Sequence, residues 1–159
     1  MDTIPYLAAP AIALTLLIAL WRWRTPRRLP YTKRGSLLTQ AEMRFFRVLV
    51  HAVPGGSTVC VKVRLMDVLS VDDGAWKEFG APASGMHCDF VLADAGTLEP
   101  VLVVELDDRS HSGDAAKKRD AFKDAALKAA GVPILRVRAA RGYDAGELRA
   151  GIRGAMATG

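Results

Sequence analysis

The residues best suited to chemistry lie in one run, Val103-Val104-Glu105-Leu106-Asp107-Asp108-Arg109-Ser110-His111. Here an apolar stretch ends in three carboxylates within four positions, and a histidine closes the run. Side chains alternate across a strand, so Glu105 and Asp107 share one face and Asp108 takes the other. Cys88-Asp89-Phe90 comes shortly before, and in a hairpin Asp89 can lie opposite Glu105. Carboxylates that close repel each other unless a hard cation sits between them, and oxygen ligands of this kind suit Mg²⁺ or Mn²⁺. A Mg²⁺ held by few carboxylates keeps waters and open positions for a phosphate. The same acids can instead pair with Arg109 and Arg119 or stay solvated at the strand end, and the residue types leave both readings open.

The other candidates each carry two readings as well. An imidazole titrates near neutrality, so the residue type of His111 suits a general base or a phosphate contact; it can equally be a capping or surface histidine. Glu42 stands three positions after Thr39, the spacing of a capping box, and can also reach toward a metal. Arg119 can bind phosphate or pair with Glu105 or Asp107. Lys117, Lys118 and Lys123 suit a solvated helix face. His87 reads as a loop residue, and His51 as a helix-end residue meeting the C-terminal dipole. Cys60 and Cys88 read as small core residues. Two cysteines exclude a disulfide scaffold and an all-cysteine zinc site. There is no P-loop, dinucleotide fingerprint or H-E-x-x-H.

The elements that must position these groups are legible in outline. Thr39 caps a helix carrying Phe45, Phe46, Leu49 and Val50, which Pro54-Gly55-Gly56 ends. Residues 58–65 alternate as a strand, with Val59, Val61, Val63 and Leu65 on one face and Cys60, Lys62 and Arg64 on the other. Residues 67–85 read as a loop or a short helix around Trp76. Residues 88–93 form a short strand, and the apolar run 100–106 a central strand covered on both faces. A helix over 112–130 turns Phe122, Ala125, Ala126 and Ala129 inward and stops at Gly131 and Pro133. A strand over 134–137 and a helix capped by Asp144 complete an α/β domain.

The 159 residues carry a net charge of +5. Six of the 22 basic residues but only one of the 17 acidic ones fall in residues 1–34, leaving 16 of each sign beyond. The excess is therefore no footprint of the domain on nucleic acid. Thr3–Trp21 holds no charge, and as a helix would span about 28 Å, close to the hydrocarbon thickness of a bilayer. Tyr6, Trp21 and Trp23 flank it, and a basic cluster follows. A cleaved signal peptide is the alternative; the missing basic start and the Trp-Arg-Trp-Arg ending argue against it. The expectation is a transmembrane anchor over 1–23, a basic juxtamembrane linker over 24–36 and an α/β domain over 37–159. Residues 3–34 would meet membrane lipid, in a bacterial inner membrane crossed once, with the N-terminus out and the domain in the cytoplasm.

The order of motifs resembles a known pattern. Glu42 on a first helix, Cys88-Asp89-Phe90-Val91-Leu92, Glu105-Leu106-Asp107-Asp108 with His111, Arg119-Asp120 and Gly131-Val132-Pro133-Ile134-Leu135-Arg136-Val137 are similar to the PD-(D/E)XK nuclease superfamily, in the branch close to very-short-patch-repair endonucleases. Within it the chain is most similar to an uncharacterised bacterial domain family with T-x-A-E-x-x-F-F, K-V-R-L-x-D, H-x-D-F and E-L-D-D-x-S-H motifs. The resemblance covers about residues 37–150. It implies a restriction-endonuclease-like mixed sheet flanked by helices and Mg²⁺- or Mn²⁺-dependent hydrolysis of phosphodiesters, with DNA as the first substrate. Asp89 and Glu105 would be the metal carboxylates. Asp107 departs from the superfamily's lysine and would ligate metal instead, with His111 moving the proton. Lys123 would supply a migrated cation, and Glu42 and Arg119 would assist. The expected activity is a membrane-tethered nuclease. The missing lysine and the neutral domain leave a second reading, an inactive nuclease-fold domain that binds nucleic acid or a protein.

Overall fold

The computed structural model describes residues 5–24, 29–107 and 113–158. By contacts the chain divides into two units, Met1–Arg34 and Gly35–Gly159. The first holds helix α1, Pro5–Arg24. Among the described residues no helix is long and apolar enough to cross a membrane. This overturns the expected transmembrane anchor and with it the single-pass inner-membrane localisation. The helix spends its last turn on Arg22 and Arg24. Its uncharged part, Pro5 to Trp21, rises only about 26 Å against a hydrocarbon core of about 30 Å. Pro10 inside it also removes a backbone donor.

The second unit is a mixed four-stranded sheet flanked by helices. Its elements are α2 (Gln40–Ala52), β1 (Ser57–Arg64), α3 (Leu65–Val68), α4 (Ala81–Ala83), β2 (His87–Asp94), β3 (Pro100–Asp107), α5 (Asp114–Ala129), β4 (Ile134–Arg138) and α6 (Ala145–Ala157). The strands lie in the order β1-β2-β3-β4. β1 and β2 are antiparallel, as are β2 and β3; β3 and β4 are parallel and joined through α5. Of the two readings of the segment between β1 and β2, a loop or a short helix around Trp76, the second is found: α3 is followed by a 3₁₀ turn, Asp73–Ala75, and a π-turn, Trp76–Gly80. The Trp76 ring lies over Gly80 so closely that a Cβ there would come within 2.3 Å of it.

Local chemistry sets the helix ends. Thr39 Oγ1 accepts from Glu42 N–H, and Glu42 Oε2 accepts from Thr39 N–H, so the capping box is complete. Asp144 accepts from Glu147 N–H at the start of α6. Gly131, at φ 70, turns the chain after α5, with Val132 N–H donating to Leu127 O.

Two cores cover the sheet. On one face Phe45, Leu49 and Ala52 of α2 and Leu148 and Ile152 of α6 pack on Phe90, Leu92, Leu102 and Val104. On the other, Leu127 of α5 packs with Cys88, Val91 and Val103. Leu127 and Lys123 are the buried residues of α5, whereas Ala125 and Ala129, expected inside, are exposed. β3 is apolar on both faces because both are covered.

The expected alternation of β1 fails at one point. Val59 and Val61 pack into the first core, as alternation requires. Past Lys62, however, Val63 and Leu65 pack into the second. The cause is backbone: Lys62 has φ 53, the left-handed region. β2 does the same opposite it. Phe90 and Leu92 lie in the first core but Cys88 lies in the second. The ladder runs on either side through Val61↔Phe90 and Val63↔Cys88 and is interrupted at Lys62 and Asp89.

Candidate functional site

The interruption opens the sheet. β2 and β3 pair only as far as Phe90↔Val104, while β3 goes on pairing with β4 through Asp107↔Arg138. Leu106 thus faces a strand that has turned away. The Asp89 side chain takes its place, with Oδ2 accepting from Leu106 N–H at 3.1 Å. A side chain inserted where a ladder bond would stand fixes its carboxylate firmly. Its Oδ1 accepts from Lys62 Nζ at 2.8 Å, and the same ammonium donates to Glu42 Oε1 at 2.6 Å. Glu42 therefore both caps α2 and reaches into the site, where its partner is a lysine.

The charges of this triad support one another. Burial pushes the Glu42 carboxyl up, but hydrogen bonds from Lys62 and from Thr39 N–H outweigh it, and its pKa is lowered. Burial likewise works against the Lys62 ammonium, and the bonds to Asp89 and Glu42 outweigh it, so its pKa is raised.

Glu105 sits on the α5 side of the split. Its Oε1 accepts from Lys123 Nζ at 2.9 Å, and both side chains are about nine-tenths buried, at 9% and 10% exposure. Lys123 Nζ also donates to His87 O at 3.0 Å. Burial pushes the Glu105 carboxyl up; Lys123 offsets this only in part, and the Asp89 charge adds to it, so the pKa is raised. Burial and the Glu105 charge also push the Cys88 thiol up to about 11, which keeps it protonated and inert.

Asp107, on the same strand face, has a different neighbour. Arg136 Nη1 donates to Asp107 Oδ1 at 2.9 Å, and Arg136 Nη2 to Asp124 Oδ1 at 2.7 Å. Of the two readings of Arg119, phosphate binding or a pair with Glu105 or Asp107, the pair is not formed: Lys123 holds Glu105 and Arg136 holds Asp107. Arg119 instead lines a cavity of about 240 Å³ with Met86, His87, Ala116, Asp120 and Lys123. His111 lies outside the described residues, as do Asp108 and Arg109.

The structure thus gathers Glu42, Asp89 and Glu105 around the split, each held by a lysine, and sets Asp107 against Arg136. Among the described residues no group of three or more His, Cys, Asp or Glu stands ready to hold a metal ion. Lys62 and Arg136 escape the sequence reading. The only sequence signal of Lys62 is its place in the K-V-R-L-x-D strand.

Residues 34–156 match the family model described as a protein of unknown function, DUF2726. The chain belongs to the DUF2726 family. The match covers nearly all of the second unit, so the DUF2726 domain contains the whole split sheet and every side chain around it. No curated protein matches the chain, and no solved structure does.

Proposed function

We propose that the DUF2726 domain is a metal-dependent phosphodiester hydrolase acting on nucleic acid, DNA first, with a sheet of the restriction-endonuclease type. The observation that carries this reading is the split between β2 and β3, which brings the Asp89 and Glu105 carboxylates within electrostatic reach of each other beside a buried lysine. Mg²⁺ needs only one or two carboxylates, completing its shell with water and substrate phosphate. Two hard carboxylates whose charges oppose each other fit that requirement, and Asp89 and Glu105 would hold the ion. When bound, it would polarise a phosphoryl oxygen and lower the pKa of a bound water.

The chain's own groups have defined parts. Asp89 is fixed by Leu106 N–H and by Lys62, so its carboxylate is oriented before any ligand arrives. Lys123 supplies the cation that the superfamily pattern places at Asp107, donating from the helix side. Arg136 holds Asp107 in place beside Glu105. His111 takes the proton in this reading. Glu42 steadies Lys62 and through it Asp89.

The test is cleavage of a labelled oligonucleotide by the full chain in Mn²⁺ or Mg²⁺. Glu105→Ala should abolish it, and equal activity in variant and parent sinks the assignment. The cation partners on every carboxylate of the site favour the second reading, an inactive domain that binds nucleic acid. In that case DNA binds in a salt-sensitive and chelator-insensitive way, and calorimetry with Mn²⁺ gives no heat.

A further inference from the structure

We propose that the cavity between the start of β2 and α5 seats one phosphate group of a nucleic-acid chain, with Lys123 in its wall and Arg119 at its rim. This deepens the hydrolase reading and rests on it for nucleic acid as the source of the phosphate. Ala116, Arg119, Asp120 and Lys123 follow the spacing of one helix face, so a single stripe of α5 forms one wall. Met86 and His87 form the other. At about 240 Å³ the cavity is smaller than the roughly 300–1,000 Å³ of pockets for whole small molecules, so it suits one compact group.

The donors suit an anion. An ammonium has three N–H donors, and among the described residues Lys123 spends two, on Glu105 and His87 O. The third is available in a side chain that is only 10% exposed, where a charge-assisted bond is least screened. Arg119 is exposed, and among the described residues it makes no hydrogen bond or ion pair. Its planar fork matches two phosphate oxygens. Ala116 leaves the room that a longer side chain would fill. Asp120 also lines the cavity and opposes an anion, which gives the site an internal control. The Glu105–Lys123 pair places this seat next to the carboxylates of the split.

The experiment uses the full chain in chelator, so that no cleavage intervenes. Inorganic phosphate is titrated by calorimetry, and a short labelled oligonucleotide by fluorescence anisotropy. Both should bind and compete. Arg119→Gln should weaken both by about tenfold, and Asp120→Asn should tighten both by about threefold. Indifference of both ligands to R119Q overturns the proposal, as does failure of either to bind; phosphate binding alone would assign the cavity to small phosphates. The two readings fail separately. If the parent never cleaves in Mn²⁺ while R119Q still weakens both ligands, the seat stands and the hydrolase falls. If cleavage depends on Glu105 while R119Q changes neither ligand, the seat falls and the hydrolase stands.

Discussion

Lys62 and Lys123 each hold carboxylate at the split between β2 and β3, but in different surroundings. Lys123 and Glu105 have side chains about nine-tenths buried, and the ammonium is completed by a backbone carbonyl. Lys62 is a third exposed and is shared between Glu42 and Asp89, at 14% and 21% exposure. Solvent screens the second arrangement and barely reaches the first. The Glu105 carboxyl is accordingly pushed up while Glu42 is lowered, although each bonds to a lysine. Burial decides the sign: where desolvation exceeds what one lysine returns, the carboxylate is raised and becomes the group most ready to gain from an added cation.

The largest expected effect follows from that contrast. Lys123→Met leaves a buried carboxylate without its cation and should cost about 3–5 kcal/mol in denaturant unfolding. Removing both charges, with Glu105→Leu added, should recover most of the loss, because a buried ion pair contributes little net stability against apolar side chains of similar size. A double variant as unstable as K123M would show that the pair does more than cancel its own desolvation.

Lys62 should respond more weakly and in two parts. Lys62→Met removes a partly screened cation from two carboxylates and should cost about 1 kcal/mol. Lys62→Gly removes the same cation and also relieves the left-handed backbone at φ 53, a conformation costing an L-residue roughly 1–2 kcal/mol. The glycine variant should therefore be the more stable of the two, by about 0.5–1 kcal/mol after the entropy glycine loses on folding. If methionine is the more stable, the backbone at Lys62 carries no strain, and the face switch of β1 needs another cause.

That switch marks the limit of what the sequence makes legible. The capping box at Thr39 and Glu42 is readable because it is local, spanning four positions of known chemistry. The central strand is readable because an apolar run without alternation needs cover on both faces. Asp89 and Glu105 stand out because an acid within an apolar strand is costly unless it finds a partner. Lys62 has no such mark: a lysine between valines reads as the polar half of an alternating strand, and nothing in its type announces a positive φ. Arg136 is equally hidden, since its bond to Asp107 depends on the parallel register of β3 and β4. The N-terminal run misleads for a different reason. Hydropathy counts uncharged residues, whereas α1 spends its last turn on Arg22 and Arg24.

The smallest effect is the one that tests the contrast most directly, because the two carboxylates should titrate with opposite sign. Glu42 has a lowered pKa, so its contribution to stability is present above the ordinary value of 4.5 and is lost as pH falls through the folded value. Glu105 has a raised pKa, so its ionised form weakens the fold. Stability is lost as pH rises from 4.5 through the folded value and returns on acidification across the same window. Urea midpoints measured against pH for the parent, Glu42→Gln and Glu105→Gln separate the two. E42Q should flatten the fall in stability below pH 4.5, and E105Q should flatten the change just above it. Curves that shift in the same window and the same direction for both variants would mean that the buried and the screened lysine sites are electrostatically alike, and the contrast drawn from their burial would fall.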